Sequence, residues 1–331
     1  MVIFAGDYPR YKLNAKLRRL SEEMIKEDLE FTVDANHCRV EQVDEIAKAL
    51  VCLSKPNWGL RLRFESIGLE SVPGSVWELT NLEDLRLNDN CLRTISPAIA
   101  KLAKLQCLYI GDNPIVDFPE GVCKLEQLEK LWAYRCQLSV LPSSFVSLRN
   151  LLDLDLSINA FEQFPEAICE LRSLRNLGLS DNKLSSIPQS FANLRELREL
   201  CVENNCLKEF PLVVCELSNL EVLWADSNEL SELPLAITKL VKLESLGLSE
   251  NRFTSFPLFV GDLPQLSTFS SGGWLNLLLS VSHFRAYHWS RQSSSGSPER
   301  GYALLSAPLP PATQRDSSSV RHNYRGLLCA G

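Results

Sequence analysis

The residues of this chain that could act as acids, bases or nucleophiles do not stand at the spacings that catalysis requires. Asp153 and Asp155 could divide the roles of general acid and base only if burial separated their pKa values. A Ser-His-Asp site would need one of four histidines, and three of these lie beyond residue 280. No glycine-rich phosphate loop is present. We therefore interpret the two carboxylates as part of a solvated acidic surface and predict that the chain is not an enzyme.

Metal-ligating residues are equally sparse. His37 and Cys38 form one His–Cys neighbour pair, and no second pair stands at the spacing of a zinc site. The sequence therefore predicts no metal and no cofactor. Its eleven cysteines are scattered and odd in number, with neither Cys-rich ends nor an Asn-x-Ser/Thr sequon. Together with a start that lacks the basic lead and apolar core of a signal peptide, this predicts a reduced, cytoplasmic protein.

Aromatic and charged residues that stand between leucines are better candidates for function. Exposed aromatic side chains next to arginine are common binding hot spots, so ten residues are predicted to bind a partner protein. They are Arg86, Tyr109, Lys130, Trp132, Tyr134, Arg135, Asp155, Glu203, Trp224 and Asp226. One alternative stays open, in which Trp132 and Tyr134 stack across strands with Tyr109 and stabilise a sheet.

Charge is divided along this set of candidates. Its first half is basic and aromatic, and its second half is acidic. We expect a partner to place its acidic side toward Arg63 and Arg86, and its basic side toward Asp155, Glu203 and Asp226. The net charge of −7 argues against a nucleic-acid partner, and no apolar run is long enough to span a membrane.

A 23-residue repeat, LxxLxLxxNxL followed by a proline, positions these candidates. An asparagine marks one position of each unit, and Cys136 replaces it once. The asparagines are Asn90, Asn113, Asn159, Asn182, Asn205, Asn228 and Asn251. The alternating leucines predict a short strand, and the proline predicts a single helical turn after it. One such unit cannot bury its leucines alone, so neighbouring units must stack.

This pattern resembles the leucine-rich repeat family, and within it the intracellular type with 23-residue repeats. The resemblance implies an α/β solenoid with a curved parallel β-sheet on the concave side and short 3-10 or helical turns on the convex side. About nine units are predicted over residues 60–269. Each asparagine is expected to satisfy backbone groups behind its strand, which Cys136 can do only weakly.

The two ends depart from the repeat. Residues 1–59 are predicted to form a helical cap, with an amphipathic helix after Pro9. Within it, a strand ending with Asn36 in the asparagine position and a helix over Val40–Leu53 resemble a longer, helix-bearing repeat, although an unrelated capping helix would also fit. Residues 270–331 are rich in serine and proline and are predicted to be largely disordered.

The resemblance implies a non-enzymatic role. The repeats are similar to those of Ras-group scaffolds and phosphatase-regulating repeat proteins. We therefore expect an adaptor or scaffold in intracellular signalling, with a small GTPase, a phosphatase or a kinase as a possible class of partner. Two alternatives stay open: a structural or polarity scaffold, and the recognition part of a larger enzyme such as a GTPase–kinase or ubiquitin ligase.

Overall fold

The computed structural model describes residues 2–4, 31–36, 38–53, 59–255 and 257–270, and every structural statement below concerns these residues. All described residues lie within one compact unit of the chain, Met1–Ser282. The helix predicted after Pro9 and the tail predicted beyond Ser270 lie outside the described residues.

Twelve strands form one parallel sheet in which each strand pairs with the next along the chain. They are β1 (Val2–Phe4), β2 (Phe31–Asp34), β3 (Leu60–Arg63), β4 (Leu82–Arg86), β5 (Cys107–Tyr109), β6 (Lys130–Trp132), β7 (Asp153–Asp155), β8 (Asn176–Gly178), β9 (Glu199–Cys201), β10 (Val222–Trp224), β11 (Ser245–Gly247) and β12 (Thr268–Ser270). From β4 onward the register follows the repeat, so that residues 23 apart lie side by side. This confirms the predicted α/β solenoid.

The chain returns on the opposite side of each unit through one short element. Nine of these are 3-10 helices of five residues, and each follows directly on a proline or begins with one. They are η1 (Gly74–Glu78), η2 (Pro97–Lys101), η3 (Glu120–Lys124), η4 (Ser143–Ser147), η5 (Glu166–Glu170), η6 (Gln189–Asn193), η7 (Leu212–Glu216), η8 (Leu235–Lys239) and η9 (Leu258–Asp262). Proline fixes φ and lacks an N–H, which suits the start of such a turn.

The core lies between the sheet and the 3-10 helices. Leu177 of β8, Leu179 directly after that strand and Phe191 of η6 are all at most 1% exposed. Cys123, Cys169 and Cys215 share one buried position, where a thiol packs as a small hydrophobe.

The asparagine at the end of each strand makes the predicted backbone contacts. Asn182 Nδ2 donates to the carbonyl oxygens of Leu156, Leu179 and Ser180 at 3.1–3.2 Å, and its Oδ1 accepts the Phe161 N–H at 3.1 Å. Asn182 is only 7% exposed, so these backbone groups have little access to water. One asparagine therefore joins two successive units of the solenoid.

Cys136 supplies only half of this arrangement. Its thiol lies 3.6 Å from the carbonyl oxygen of Ile110 and 3.7 Å from that of Tyr134, which are long, weak hydrogen bonds. In the other units the side-chain oxygen accepts an N–H of the preceding unit. Here that N–H, of Ile115, donates instead to the carbonyl oxygen of Asn113 at 2.8 Å. The backbone thus compensates for the missing acceptor.

The N-terminal unit carries the predicted helix, α1 (Val40–Leu53), between β2 and β3. Val43, Ile46, Ala47 and Leu50 are buried on one face, as the periodicity predicts. The placement of Asn36 in the asparagine position was wrong. Asp34 pairs with Arg63, so Asn36 lies beside Glu65, and Cys38 falls at the asparagine position. The unit is 29 residues long rather than 31, because the strand begins two residues later than the sequence pattern suggested.

Candidate protein-binding face

Alternate residues of each strand point away from the core and form the solvent side of the sheet, which we call the sheet face. On β6, Leu131 is fully buried, whereas Lys130 and Trp132 on either side of it are partly exposed. Parallel pairing in register places corresponding residues of successive units in columns across this face. All ten candidate residues belong to the strands or to the three positions after them.

Four of them form an aromatic–cation cluster on β4, β5 and β6. The Arg86 guanidinium carbon lies 4.5 Å from the centroid of the Tyr109 ring. Tyr109 and Trp132 meet edge to face, with ring centroids 5.0 Å apart at 82°. The Lys130 ammonium lies 5.4 Å from the centroid of Trp132. The Tyr109–Trp132 contact is one part of the sheet-stabilising stack that the sequence left open as the alternative to binding.

Carboxylates neutralise the cations of this cluster. Arg86 Nε lies 3.2 Å from Asp84 Oδ1 on the same strand, and Lys130 Nζ lies 3.1 Å from Asp153 Oδ2 on the next one. Asp153 also accepts the indole N–H of Trp132 at 3.0 Å. Both cations and the indole N–H of this cluster are therefore paired with neighbouring carboxylates, and Tyr109 is only 7% exposed. Burial raises the pKa of the Tyr109 phenol.

Arg63 and Arg135, which lie near this cluster on the sheet face, are also paired with carboxylates. Arg63 Nη1 lies 3.8 Å from Asp34, and Arg135 Nε lies 3.1 Å from Asp112. Both of these cations thus have a carboxylate beside them. The predicted orientation of a partner's acidic side toward Arg63 and Arg86 stays a prediction. Sequence reasoning missed Asp84 and Asp153 as partners. The spacing Asp84–Arg86 was the available signal, since residues two apart share a strand face.

Tyr134 and Trp224 lie over glycines of neighbouring units. A methyl group on Gly111 would lie 2.5 Å from the Tyr134 ring, so that ring covers the preceding unit. Trp224 and Asp226 lie over Gly247 of the following unit, and a methyl group there would overlap both side chains. The two glycines make room for large side chains to lie flat on the sheet.

Between Trp132 and Trp224, the sheet-face positions on and just after β7, β8 and β9 carry small side chains, carboxylates and one amide, Asn176. We call these positions the open segment; its middle column is Asp155, Gly178 and Cys201. Asp155 leans over Gly178, where a methyl group would lie 2.7 Å from Asp155 Oδ1. That oxygen accepts the Ser157 N–H at 2.9 Å. Asp155 and Ser157 thus cover Gly178 at the centre of the open segment.

Four carboxylates of the open segment and its border have raised pKa values. Burial is the main cause for Asp155, Glu199, Glu203 and Asp226 alike. Neighbouring carboxylates add to the effect, as Asp153 does for Glu199 and Asp226 does for Glu203. Within the described part of the chain, no lysine or arginine forms an ion pair with any of the four.

Polar contacts hold two of these carboxylates in place. Glu203 accepts the Ser180 hydroxyl at 3.1 Å, and Asp226 accepts the Ser249 N–H at 2.7 Å. Burial, with Glu203, Glu199 and Asp155 nearby, raises the pKa of the Cys201 thiol, which keeps it protonated and a poor nucleophile. The arrangement can therefore offer fixed negative charge to a ligand.

Among the described residues, no three His, Cys, Asp or Glu side chains are grouped so that they could hold a metal ion. The described cysteines are all free thiols. No helix in the described ranges combines the length and the apolarity needed to cross a bilayer.

Comparison with known proteins gives two matching family models. Residues 143–270 match "Leucine-rich repeat region", and residues 80–121 match "Leucine Rich repeats (2 copies)". Over 90 residues, 27% of this chain, it is 32% identical to the volume-regulated anion channel subunit LRRC8D of Rattus norvegicus. That stretch is 10% of the relative's length, so this chain matches only a small part of it.

Solved structures share the fold over most of the described residues. The TLR13–ssRNA13 complex superposes with a TM-score of 0.64 at 22% identity, over 82% of this chain and 43% of that one. The Arabidopsis receptor kinase HAESA, solved with the peptide hormone IDA and the co-receptor SERK1, gives a TM-score of 0.56 at 26% identity, over 63% of this chain and 37% of that one.

Proposed function

Because the chain is a leucine-rich repeat protein, we propose that it binds a partner protein on the sheet face and acts as an adaptor or scaffold in intracellular signalling. The observation that carries the proposal is Trp132, a large aromatic side chain that remains partly exposed on a sheet whose leucines are fully buried. Aromatic side chains held rigidly at a surface lose little entropy on binding and are frequent hot spots.

The cluster around Trp132 supports this role even though its cations and its indole N–H are already paired with carboxylates. Tyr109, Lys130 and Asp153 fix the indole in one orientation, so a partner meets a preorganised surface. The same contacts can stabilise the sheet and preorganise a binding surface, and a binding measurement tests the second role.

The class of partner follows from charge and shape. Trp132 and Trp224 are four strands apart, about 19 Å at 4.8 Å per strand, which exceeds the reach of a small metabolite. The HAESA complex contains a peptide hormone and the TLR13 complex a single-stranded RNA. We favour a protein for this chain, because the net charge of −7 opposes a phosphate backbone. The identity of the partner as a small GTPase, phosphatase or kinase stays a prediction.

Two other roles, a polarity scaffold and the recognition part of a larger enzyme, would use the same face. They differ from a signalling adaptor in the identity of the partner. Capture of partners by the full chain, identified by mass spectrometry, therefore addresses all three roles.

The test compares wild-type chain with Trp132→Ala in affinity capture, followed by calorimetry on each purified partner. We expect Trp132→Ala to weaken binding by about 2 kcal/mol or more. Its matched control, Gln189→Ala with Arg195→Ala, alters the opposite side of the solenoid and should bind as wild type does. Circular dichroism establishes that both variants are folded. If the control loses the partner and Trp132→Ala keeps it, the binding face is the wrong one.

A further inference from the structure

We propose that the partner presents an extended segment rich in lysine and arginine to the open segment, between the indoles of Trp132 and Trp224. This inference rests on the proposed function, since it names the chemistry of the ligand for the same face. It commits to a basic peptide segment of a protein, and peptides of other composition are outcomes of the test.

The geometry of the open segment fits an extended chain. Trp132 on β6 and Trp224 on β10 border three strands, β7, β8 and β9. At about 19 Å this distance holds roughly six residues of extended peptide, at 3.3 Å per residue. Asp155 and Ser157 cover Gly178 at the centre of the open segment, and Ser180 lies beside it. A peptide laid along these three strands would therefore meet carboxylate and hydroxyl groups rather than aromatic rings.

Charge selects a cationic peptide. The cations at the N-terminal end of the face are neutralised, Arg63 by Asp34, Arg86 by Asp84 and Lys130 by Asp153. The carboxylates Asp155, Glu199, Glu203 and Asp226 have no such counter-ions among the described residues. These four carboxylates therefore concentrate negative charge in and beside the open segment. A partner that supplies the missing cations complements it.

Because these carboxylates are partly buried, a nearby cation interacts with them more favourably than with fully hydrated carboxylates. Loss of water and mutual repulsion raise their pKa values, as Asp226 does for Glu203. An ammonium or guanidinium group placed between them would offset the mutual repulsion and favour the charged carboxylates. Trp224 adds a second attraction, because it lies flat over Gly247 with part of its ring exposed, and a guanidinium can stack on such a ring.

The experiment uses the full chain immobilised on a surface and a phage library of random twelve-residue peptides as the probe. Peptides selected on the wild type are synthesised, and their affinities are measured for three variants. Glu199→Gln with Glu203→Gln removes two charges from the open segment. Glu120→Gln with Glu166→Gln removes two exposed charges from η3 and η5 on the other side and is the matched control. Trp132→Ala reports on the face itself.

We expect the selected peptides to be enriched in lysine and arginine. Their affinity should fall about tenfold or more with Glu199→Gln and Glu203→Gln, and less than about twofold with the control pair. Selection of neutral, acidic or apolar peptides, selection of none, or equal losses in the two pairs of variants would overturn the inference. Non-basic peptides that bind wild type but not Trp132→Ala would overturn it while leaving the proposed function in place.

Discussion

The asparagine that follows most strands of the array hydrogen-bonds to backbone groups of its own unit and of the preceding one. Asn182 holds three carbonyl groups and one N–H, drawn from two successive units. We expect Asn182→Ala to leave these buried groups unpaired and to lower the free energy of unfolding by about 1–3 kcal/mol. Asn182→Cys should lose less, since the Cys136 thiol makes two of the equivalent contacts. Urea denaturation of the three proteins measures the difference. Identical curves for wild type and Asn182→Ala would contradict the role assigned to the asparagine.

A second residue-scale prediction concerns Asp155, whose pKa burial raises. A carboxyl group with a higher pKa in the folded than in the unfolded chain binds protons more tightly when folded. Its contribution to stability therefore decreases as pH rises from the ordinary carboxyl range through the raised value. Asp155→Asn keeps an oxygen that can accept the Ser157 N–H and removes the charge.

We expect Asp155→Asn to unfold at a higher urea concentration than wild type at pH 7, and this advantage to shrink as the pH is lowered to 5. Asp117→Asn, which changes an exposed carboxylate, is the control. Denaturation midpoints across this pH range give the comparison. An advantage that grows toward pH 5 would contradict the burial argument.

At this scale the sequence predicted which residues share the sheet face, because the period of two in LxxLxLxxN assigns every side chain to one side. It did not predict which of them are neutralised. Lys130 meets Asp153 only because β6 and β7 pair in register, a contact between residues 23 apart. The ion pairs of Arg63 with Asp34 and of Arg86 with Asp84 were likewise not predicted.

Elements followed the sequence wherever periodicity was strong. The helix α1 was predicted at its observed bounds, since its apolar residues recur at helical spacing over 14 residues. The strand β1 was not predicted, because three residues carry no usable period. The register of β2 was misplaced by two residues, since its short alternation fits more than one alignment with the repeat.

The helix α1 packs on η1, and the Ser75 hydroxyl donates to Asp44 Oδ1 at 2.7 Å across this contact. Ile46 lies on the buried face of the helix and is 2% exposed, whereas Val51 is 39% exposed. We expect Ile46→Ala to lower the free energy of unfolding by about 2–4 kcal/mol, through lost burial and a cavity. Val51→Ala should change it by less than about 0.5 kcal/mol.

Hydrogen exchange places this loss along the chain. In a solenoid each unit contacts only its neighbours, so Ile46→Ala should accelerate exchange most in α1, β2 and β3. Acceleration spread evenly to β11 would show that the array unfolds as one cooperative unit. A stability equal to that of Val51→Ala would show that α1 contributes little to the adjoining repeats.

At the scale of the whole described array, a linear solenoid separates charge that a compact domain would mix. Ion-paired cations lie on β3, β4 and β6, and four carboxylates without a described lysine or arginine partner lie on or just after β7, β9 and β10. The two sides of the sheet are also chemically distinct, because every unit repeats the same assignment of inward and outward positions. A long-range field from one end of one face is the consequence.

This field leads to a prediction about association rates with the basic peptides proposed above. Asp226 stands at the border of the open segment, beside Trp224, and is partly exposed. Reversing its charge should mainly slow association and weaken the dependence of the rate on salt, because steering acts before contact is made. The control, Glu166→Lys, alters the net charge by the same amount from the exposed start of η5 on the opposite side. Stopped-flow association at several salt concentrations separates the two. Slower association for Asp226→Lys alone places the steering field on the sheet face, whereas equal slowing in both variants would assign it to the net charge of −7.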